Sequence, residues 1–370
     1  MTERWHLRIS PPMNSGPARE LWGAATIEGV RESSNQQDAE GVISGAFVSP
    51  LMCDTHTHGR MGHAVTDSLD TLRELIRVTS AQGVGRSQLS TVTLSVPDIH
   101  ATLRAARELV SAEKSVIGVH LEGPFLSPEK RGAHSHELLL RGSLETVQEV
   151  VSDYLDVVSA ITLDPLAVEN GVIEWLVDHG VTVAVGHTDA TFEEALTAFQ
   201  AGASVLTHAF NAMRAILSRE PGPVVAALEA GAWIEVIADG HHVHPSVVKF
   251  LGEAAPERLL LVTDSMPAAG LGDGSYELGA LSVSVVDGVA RTSEGSLAGS
   301  TLSLDAAVAH SVSAGVSPEV ALAAATTNPL KAYGQVVPLI AEGEPAHLLV
   351  WSEDLRITHM IRDGQLSTWA

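Results

Sequence analysis

Cysteine is all but missing from this chain. Cys53 is its only one, so an internal disulfide and a thiolate-rich zinc module are both excluded, and Cys53 itself reads as a small buried apolar residue. Basic residues are also scarce. Against 45 acids there are 22, leaving a formal charge of −23. That argues against a nucleic-acid partner, whose phosphates would be repelled, but not against a small anion met by a few local cations. No apolar run approaches the ~20 residues that span a bilayer. The polar opening MTERWHLRISPP lacks the apolar core of a signal peptide. A cytoplasmic location with no membrane partner is therefore expected. Internal repeats, low-complexity stretches and linkers are absent too.

What is present is a well-buried chain, 45% hydrophobic over 370 residues, enough for one large domain with or without a small one. From about residue 46, short β-rich runs alternate with longer stretches of helical period. Strands are expected near 46–56, 87–94, 115–122, 156–162, 181–187, 203–208, 232–238 and 258–264. Helices are expected in SLDTLRELIRVTSAQG, DIHATLRAARELVSAE, LAVENGVIEWLVDHG and TFEEALTAFQAG, the last capped by Thr191. Eight such alternations point to a closed (β/α)₈ barrel of TIM type, expected over residues 46–335. An open doubly wound sheet would need a glycine-rich phosphate turn after its first strand. That place is taken by HTHGRMG, and the one glycine cluster, AAGLGDG, follows the last strand. Residues 275–300 read as an inserted β-hairpin turning at Asp287-Gly288. The β-leaning ends, 1–45 and 336–370, are expected to form one small β-sandwich-like domain.

Five of the expected strands end on residues of ligand type. The first closes on His56-Thr57-His58 within LMCDTHTHG, and alternation along a strand sends both imidazoles to one side. The others end on Glu122 (VIGVHLEGP), His187 (VTVAVGHTD), His208 (SVLTHAFNAM) and Asp264 (LLLVTDSM). In a (β/α)₈ barrel, catalytic groups stand at these C-terminal strand ends. Imidazoles and carboxylates without thiolate suit Zn²⁺ or Fe²⁺. A cation there would bring the pKa of bound water from ~15.7 towards ~7, and Asp264 could carry its proton. The chemistry expected is metal-assisted hydrolysis.

These residues stand in longer motifs: HTHG at 56–59, HLEGPFLSPEKRGAH at 120–134, VGHTDAT at 185–191, THAFNAM at 207–213, REPG at 219–222, ADGHHV at 238–243, VTDSMPAAG at 262–270 and LAGSTLSLDAAV at 297–308. In type and order the chain resembles the N-acetylglucosamine-6-phosphate deacetylases of the amidohydrolase superfamily over nearly its whole length. The resemblance implies hydrolysis of N-acetylglucosamine 6-phosphate to glucosamine 6-phosphate and acetate, in amino-sugar catabolism. It implies Glu122, His187 and His208 as metal ligands and Asp264 as catalytic acid/base. His56 and His58 match a pair that some members replace; where it is kept, a second metal can bind with Glu122 bridging, giving one or two ions per chain. Arg219 and His242 match residues that hold the sugar phosphate, Arg219 from across a homodimer. Ala133, Asn211, Ala212 and the loop Leu297, Ala298 and Gly299 match substrate-binding positions. His134 matches a residue near the scissile amide, where a donor would meet the developing oxyanion.

The chain departs from the family pattern in three places. His241 and His244 crowd the ADGHHV motif, Arg60 and His63 follow HTHG where glycine is usual, and AHLLV replaces an aspartate-bearing segment near the end. Two other functions fit the residues less well. A cyclic-amide hydrolase of the same superfamily would bridge its metals with a carbamylated lysine, yet none of Lys114, Lys130, Lys249 and Lys331 ends a mid-barrel strand. A non-catalytic barrel would be expected to have lost a ligand or the acid/base, and all are present.

Overall fold

The structure, a computed structural model, describes residues 4–10, 18–32, 42–65 and 68–369. Parts of the opening segment and of the N-terminal half of the expected small domain, together with Thr66 and Asp67 beyond HTHG, lie outside the described residues. By contact density the chain divides into Cys53–Gln335 and a unit built from Met1–Met52 and Val336–Ala370.

The larger unit is the expected (β/α)₈ barrel. Its parallel strands are Met52–Thr57, Val84–Thr91, Val116–Glu122, Val158–Leu163, Thr182–Val185, Val205–Leu206, Trp233–Val236 and Leu259–Leu261, each paired with the next. The ring closes where Asp264 N–H donates to His56 O at 2.8 Å and His58 N–H to Ser265 O at 2.8 Å. Helices pack outside. In α1 (Leu69–Ala81) the buried Leu72, Leu75, Ile76 and Thr79 recur at three- and four-residue spacing, and Ser68 caps its first turn. A helix over Phe192–Gln200 begins with a full capping box, Thr191 and Glu194 each satisfying the other's backbone N–H.

Several elements are shorter than the sequence suggests, among them the strands expected at 181–187, 232–238 and 258–264, and two shortenings have a local cause. The expected sixth strand, 203–208, pairs only at Val205–Leu206, because Thr207 N–H still reaches Val185 O but His208 turns to φ +26°. The helix expected from Leu166 starts only at Val172, because Gly171 is left-handed at φ +87° and Val168 bridges to Gly142 instead. After the eighth strand come three antiparallel strands, Gly274–Leu278, Leu281–Val286 and Val289–Thr292; the last two join at Asp287 and Gly288, both at positive φ, as a tight hairpin turn needs.

In the second unit, Ile27–Glu32, Arg19–Gly23, Trp5–Ile9 and Ile43–Gly45 make one sheet, and Gln365–Thr368, Ile357–Arg362, Leu348–Trp351 and Phe47–Pro50 another. Trp5, Leu7, Leu21 and Ile27 from the first pack against Leu348, Val350 and Ile361 from the second. Both chain ends thus share one sandwich core.

Candidate metal centre and substrate cavity

Beneath the C-terminal mouth of the barrel lies a polar layer with its hydrogen bonds satisfied. His120 contacts Ser90 Oγ at 3.0 Å and Thr162 Oγ1 at 2.7 Å, and Thr162 contacts Thr207 Oγ1 at 2.7 Å. Burial holds the His120 ring neutral, its pKa pushed well below the usual imidazole range. This layer is the floor on which the strand-end residues stand. The backbone bends sharply as they leave it. His187, His208 and Asp264 lie at φ +46°, +26° and +47°, conformations that cost on the order of 1–3 kcal/mol each for non-glycine residues and cluster at functional sites. Gly186 permits the turn into His187, since a Cβ there would meet Thr207 Cβ at 2.7 Å and Thr162 Cγ2 at 2.8 Å.

Among the described residues two buried groups have their ligand atoms gathered as a metal site requires: His56, His58 and Asp264, and Glu122, His187 and His208. Glu122 lies between them. Its Oε1 is 2.9 Å from His208 Nε2 and 3.1 Å from His187 Nε2, while Oε2 is 3.2 Å from His58 Nε2. Asp264 Oδ1 is 3.0 Å from His58 Nε2. Hydrogen bonds on the far side fix which nitrogen faces inward. The Nδ1 of His58 meets Ser90 O at 3.0 Å, that of His187 meets Lys130 O at 2.9 Å, and that of His56 meets Glu235 Oε2 at 3.1 Å. Each acceptor requires an Nδ1–H, leaving the Nε2 lone pair for the centre.

The residues fit a divalent cation. His187 and His208 Nε2 face each other at 3.1 Å, close to the ~3.3 Å that two bonds of ~2.0–2.1 Å make at a tetrahedral angle. His56 Nε2 is fully buried without a hydrogen-bond partner, 3.5 Å from Glu122 Oε1 and 3.7 Å from Asp264 Oδ1. Electrostatics agree. Burial works to lower the His58 pKa, but hydrogen bonds to Asp264 and Glu122 outweigh it and hold the ring up at about 9. Burial likewise works to raise Glu122 and Asp264, yet the surrounding histidines hold both below the usual carboxylate range. A site that gathers protons onto His56 and His58 at neutral pH offers the same field to a cation, which would displace them.

The centre opens into a cavity of about 480 Å³. His134 lines it, with Nε2 3.2 Å from Glu122 Oε2. The ring is neutral, because burial holds its pKa down at about 4 despite the opposing pull of Glu122. Thr93 N–H donates to its Nδ1 at 3.0 Å, so the remaining proton is on Nε2.

The expected site residues divide as follows. His58, Glu122, Ala133, His134, His187, His208, Asn211, Ala212, His242, Asp264, Leu297 and Gly299 line the cavity. His56 is buried behind it, and Ala298 is buried between two lining neighbours. Arg219 is exposed and is not among the lining residues. His242 lines the cavity whereas His241 is exposed, and the His242 ring is anchored by Asp239 Oδ2 at 2.6 Å. Sequence reasoning missed Lys130 and Arg131 on the wall, and Glu235 behind His56. For Glu235 a signal existed, a lone carboxylate in the apolar run WIEVIA.

Comparison with known proteins bears on this geometry. The profile of the Amidohydrolase family matches residues 47–367. N-acetylgalactosamine-6-phosphate deacetylase of Escherichia coli O157:H7 is 35% identical over 93% of this chain and 92% of its own. N-acetylglucosamine-6-phosphate deacetylase of Homo sapiens is 37% identical over 90% and 87%. A substitution mutant of N-acetyl-D-glucosamine-6-phosphate deacetylase from Mycobacterium smegmatis, solved with N-acetyl-D-glucosamine-6-phosphate, superposes with a TM-score of 0.89 at 32% identity over 98% of this chain and 99% of that one.

Proposed function

The chain belongs to the amidohydrolase family, and we propose that it hydrolyses N-acetyl-D-glucosamine 6-phosphate to D-glucosamine 6-phosphate and acetate. One observation carries the proposal: Glu122 joins two buried ligand groups on the floor of a cavity, and Asp264 faces the same space. Glu122, His187 and His208 would hold the tighter divalent cation, Zn²⁺ or Fe²⁺. His56 and His58 would hold a second, beside Glu122. The cation, when bound, supplies Lewis-acid polarisation and a water of lowered pKa.

The remaining work is done by side chains. Asp264, ionised and facing the cavity beside His58, accepts the proton of the attacking water and returns it to the departing amine nitrogen. His134, neutral with its proton on Nε2, donates to the oxygen that becomes negative as the acetyl carbon turns tetrahedral. His242 contributes a phosphate contact from the wall, its ring held in place by Asp239. Asn211 and Ala212, with Ala133 and the Leu297–Gly299 loop, bound the sugar. Arg219, exposed and away from this cavity, completes the phosphate site of a neighbouring copy in a homodimer, where its planar fork of donors suits a dianion. The same proposal places the enzyme in the cytoplasm, where sugar phosphates are retained.

Acetate release from the N-acetylglucosamine and N-acetylgalactosamine 6-phosphates, and from unphosphorylated N-acetylglucosamine, is the test. Preference for the first supports the proposal. Preference for the second, suggested by the E. coli relative, would reassign the epimer. No release from either phosphate would overturn it.

A further inference from the structure

The outer hydrogen bonds of the histidine ligands are not alike. His58 and His187 donate to backbone carbonyls, whereas His56 donates to a side-chain carboxylate, Glu235, at 3.1 Å. Glu235 stands on the seventh strand, Trp233–Val236, with 1% of its surface exposed. Neither metal ligation nor proton transfer uses it directly. A buried carboxylate in an apolar strand is costly unless its oxygens are engaged. Here they are: Oε2 receives His56 Nδ1–H and, at 3.4 Å, the His208 backbone N–H, while Tyr333 OH donates to Oε1 at 3.4 Å.

We propose that Glu235 is a positioning residue for the second cation site. By accepting Nδ1–H it fixes the tautomer and ring plane of His56, so that the partnerless Nε2 faces Glu122 and Asp264. A carboxylate acceptor also makes the imidazole a stronger donor to a cation than a carbonyl does. Of the three rings with a known outer partner, His56 is the one set furthest back, wholly buried, with its Nε2 at 3.5 Å or more from its carboxylate neighbours. It is therefore the ligand with most need of an external brace. Tyr333 braces the brace, tethering the other oxygen from beyond the end of a helix over Thr327–Ala332.

This inference rests on the reading that His56 and His58 hold a cation. The test is metal content per chain after dialysis, and Zn²⁺ titration of the chelator-stripped protein, for wild type, Glu235→Gln and Glu235→Ala, with thermal melts as a check on folding. Glu235→Gln keeps the shape and an acceptor oxygen but removes the charge. The weaker site is expected to bind Zn²⁺ ~10–100-fold less tightly in both variants, the usual scale for a lost outer partner, with the tighter site retained. Activity should return as Zn²⁺ is raised. Unchanged affinity at the weaker site overturns the inference. So does equal loss at both sites or collapse of the fold in both variants, since either would make Glu235 a general part of the core. A wild-type protein with only one site would instead remove the reading beneath it.

Discussion

Replacing Asp264 by asparagine isolates proton transfer. Asp264 lies at φ +47°, a conformation that asparagine tolerates better than most residues, and its backbone N–H and O close the barrel to His56 and Ser300. The Asp264→Asn variant would keep that backbone, the volume and an oxygen for His58 to approach. What it lacks is a site for the proton. A lost general acid/base reduces turnover ~10²–10⁴-fold, or ~2.7–5.4 kcal/mol in the barrier. Loss of fold is not expected, because the side chain is buried against polar partners that an amide can also meet. The assay is kcat and KM from acetate release, with metal content measured on the same sample, since Asp264 also borders the His56/His58 group. The expected outcome is a collapse of kcat that excess metal does not restore. A kcat within about tenfold of wild type would take Asp264 out of proton transfer. Full rescue by metal would make it a ligand only.

The other expectations concern separate parts of the site and scaffold. His134→Ala should lower kcat ~10²–10³-fold with metal content unchanged, as for one lost oxyanion donor; a change confined to KM would make His134 a binding residue. The double change of His56 to Gln and His58 to Asn should remove about one metal per chain and leave measurable activity, whereas changing His187 or His208 should abolish it; one metal in both wild type and double variant would make the His56/His58 pair a relic. Arg219→Ala should raise KM for the phosphorylated sugar roughly ten- to a hundred-fold and little for the unphosphorylated one, and equal losses would make Arg219 structural. At Asp239, burial favours protonation but hydrogen bonds from His242 outweigh it and hold the pKa below the usual value. That pair therefore stabilises the fold above the ordinary carboxylate range and ceases to as pH falls through the lowered pKa. The gap in Tm between wild type and Asp239→Asn should narrow from about pH 5 to pH 3, and a constant gap would deny the linkage.

Much of this enzyme was legible in its sequence because the barrel repeats a local rule. Each apolar run of β period, followed by a stretch of helical period, predicts the next unit without knowledge of its neighbours. In such a fold, the end of a strand is the place for chemistry. His56, His58, Glu122, His187, His208 and Asp264 could thus be named from their positions at run ends, and the ring brought them together. Thr191 with Glu194 shows the same locality in a helix cap. Where the pattern misled, a single residue had overridden it: Gly171 delays a helix, and the bend at His208 ends a strand early.

Distances between strands were beyond any reading of one chain in order. That Glu122 turns Oε1 towards His187 and His208 and Oε2 towards His58 depends on how the third, fifth, sixth and first strands converge. The neutral state of His134 and the place of its proton depend on burial and on Thr93, forty-one residues away. Glu235 and His56, separated by 179 positions, became partners only through closure of the ring. Residue type and spacing determined which groups could ligate and react; the tertiary structure decided which proton each one holds and which atom each one faces, because both follow from burial and from contacts across the barrel.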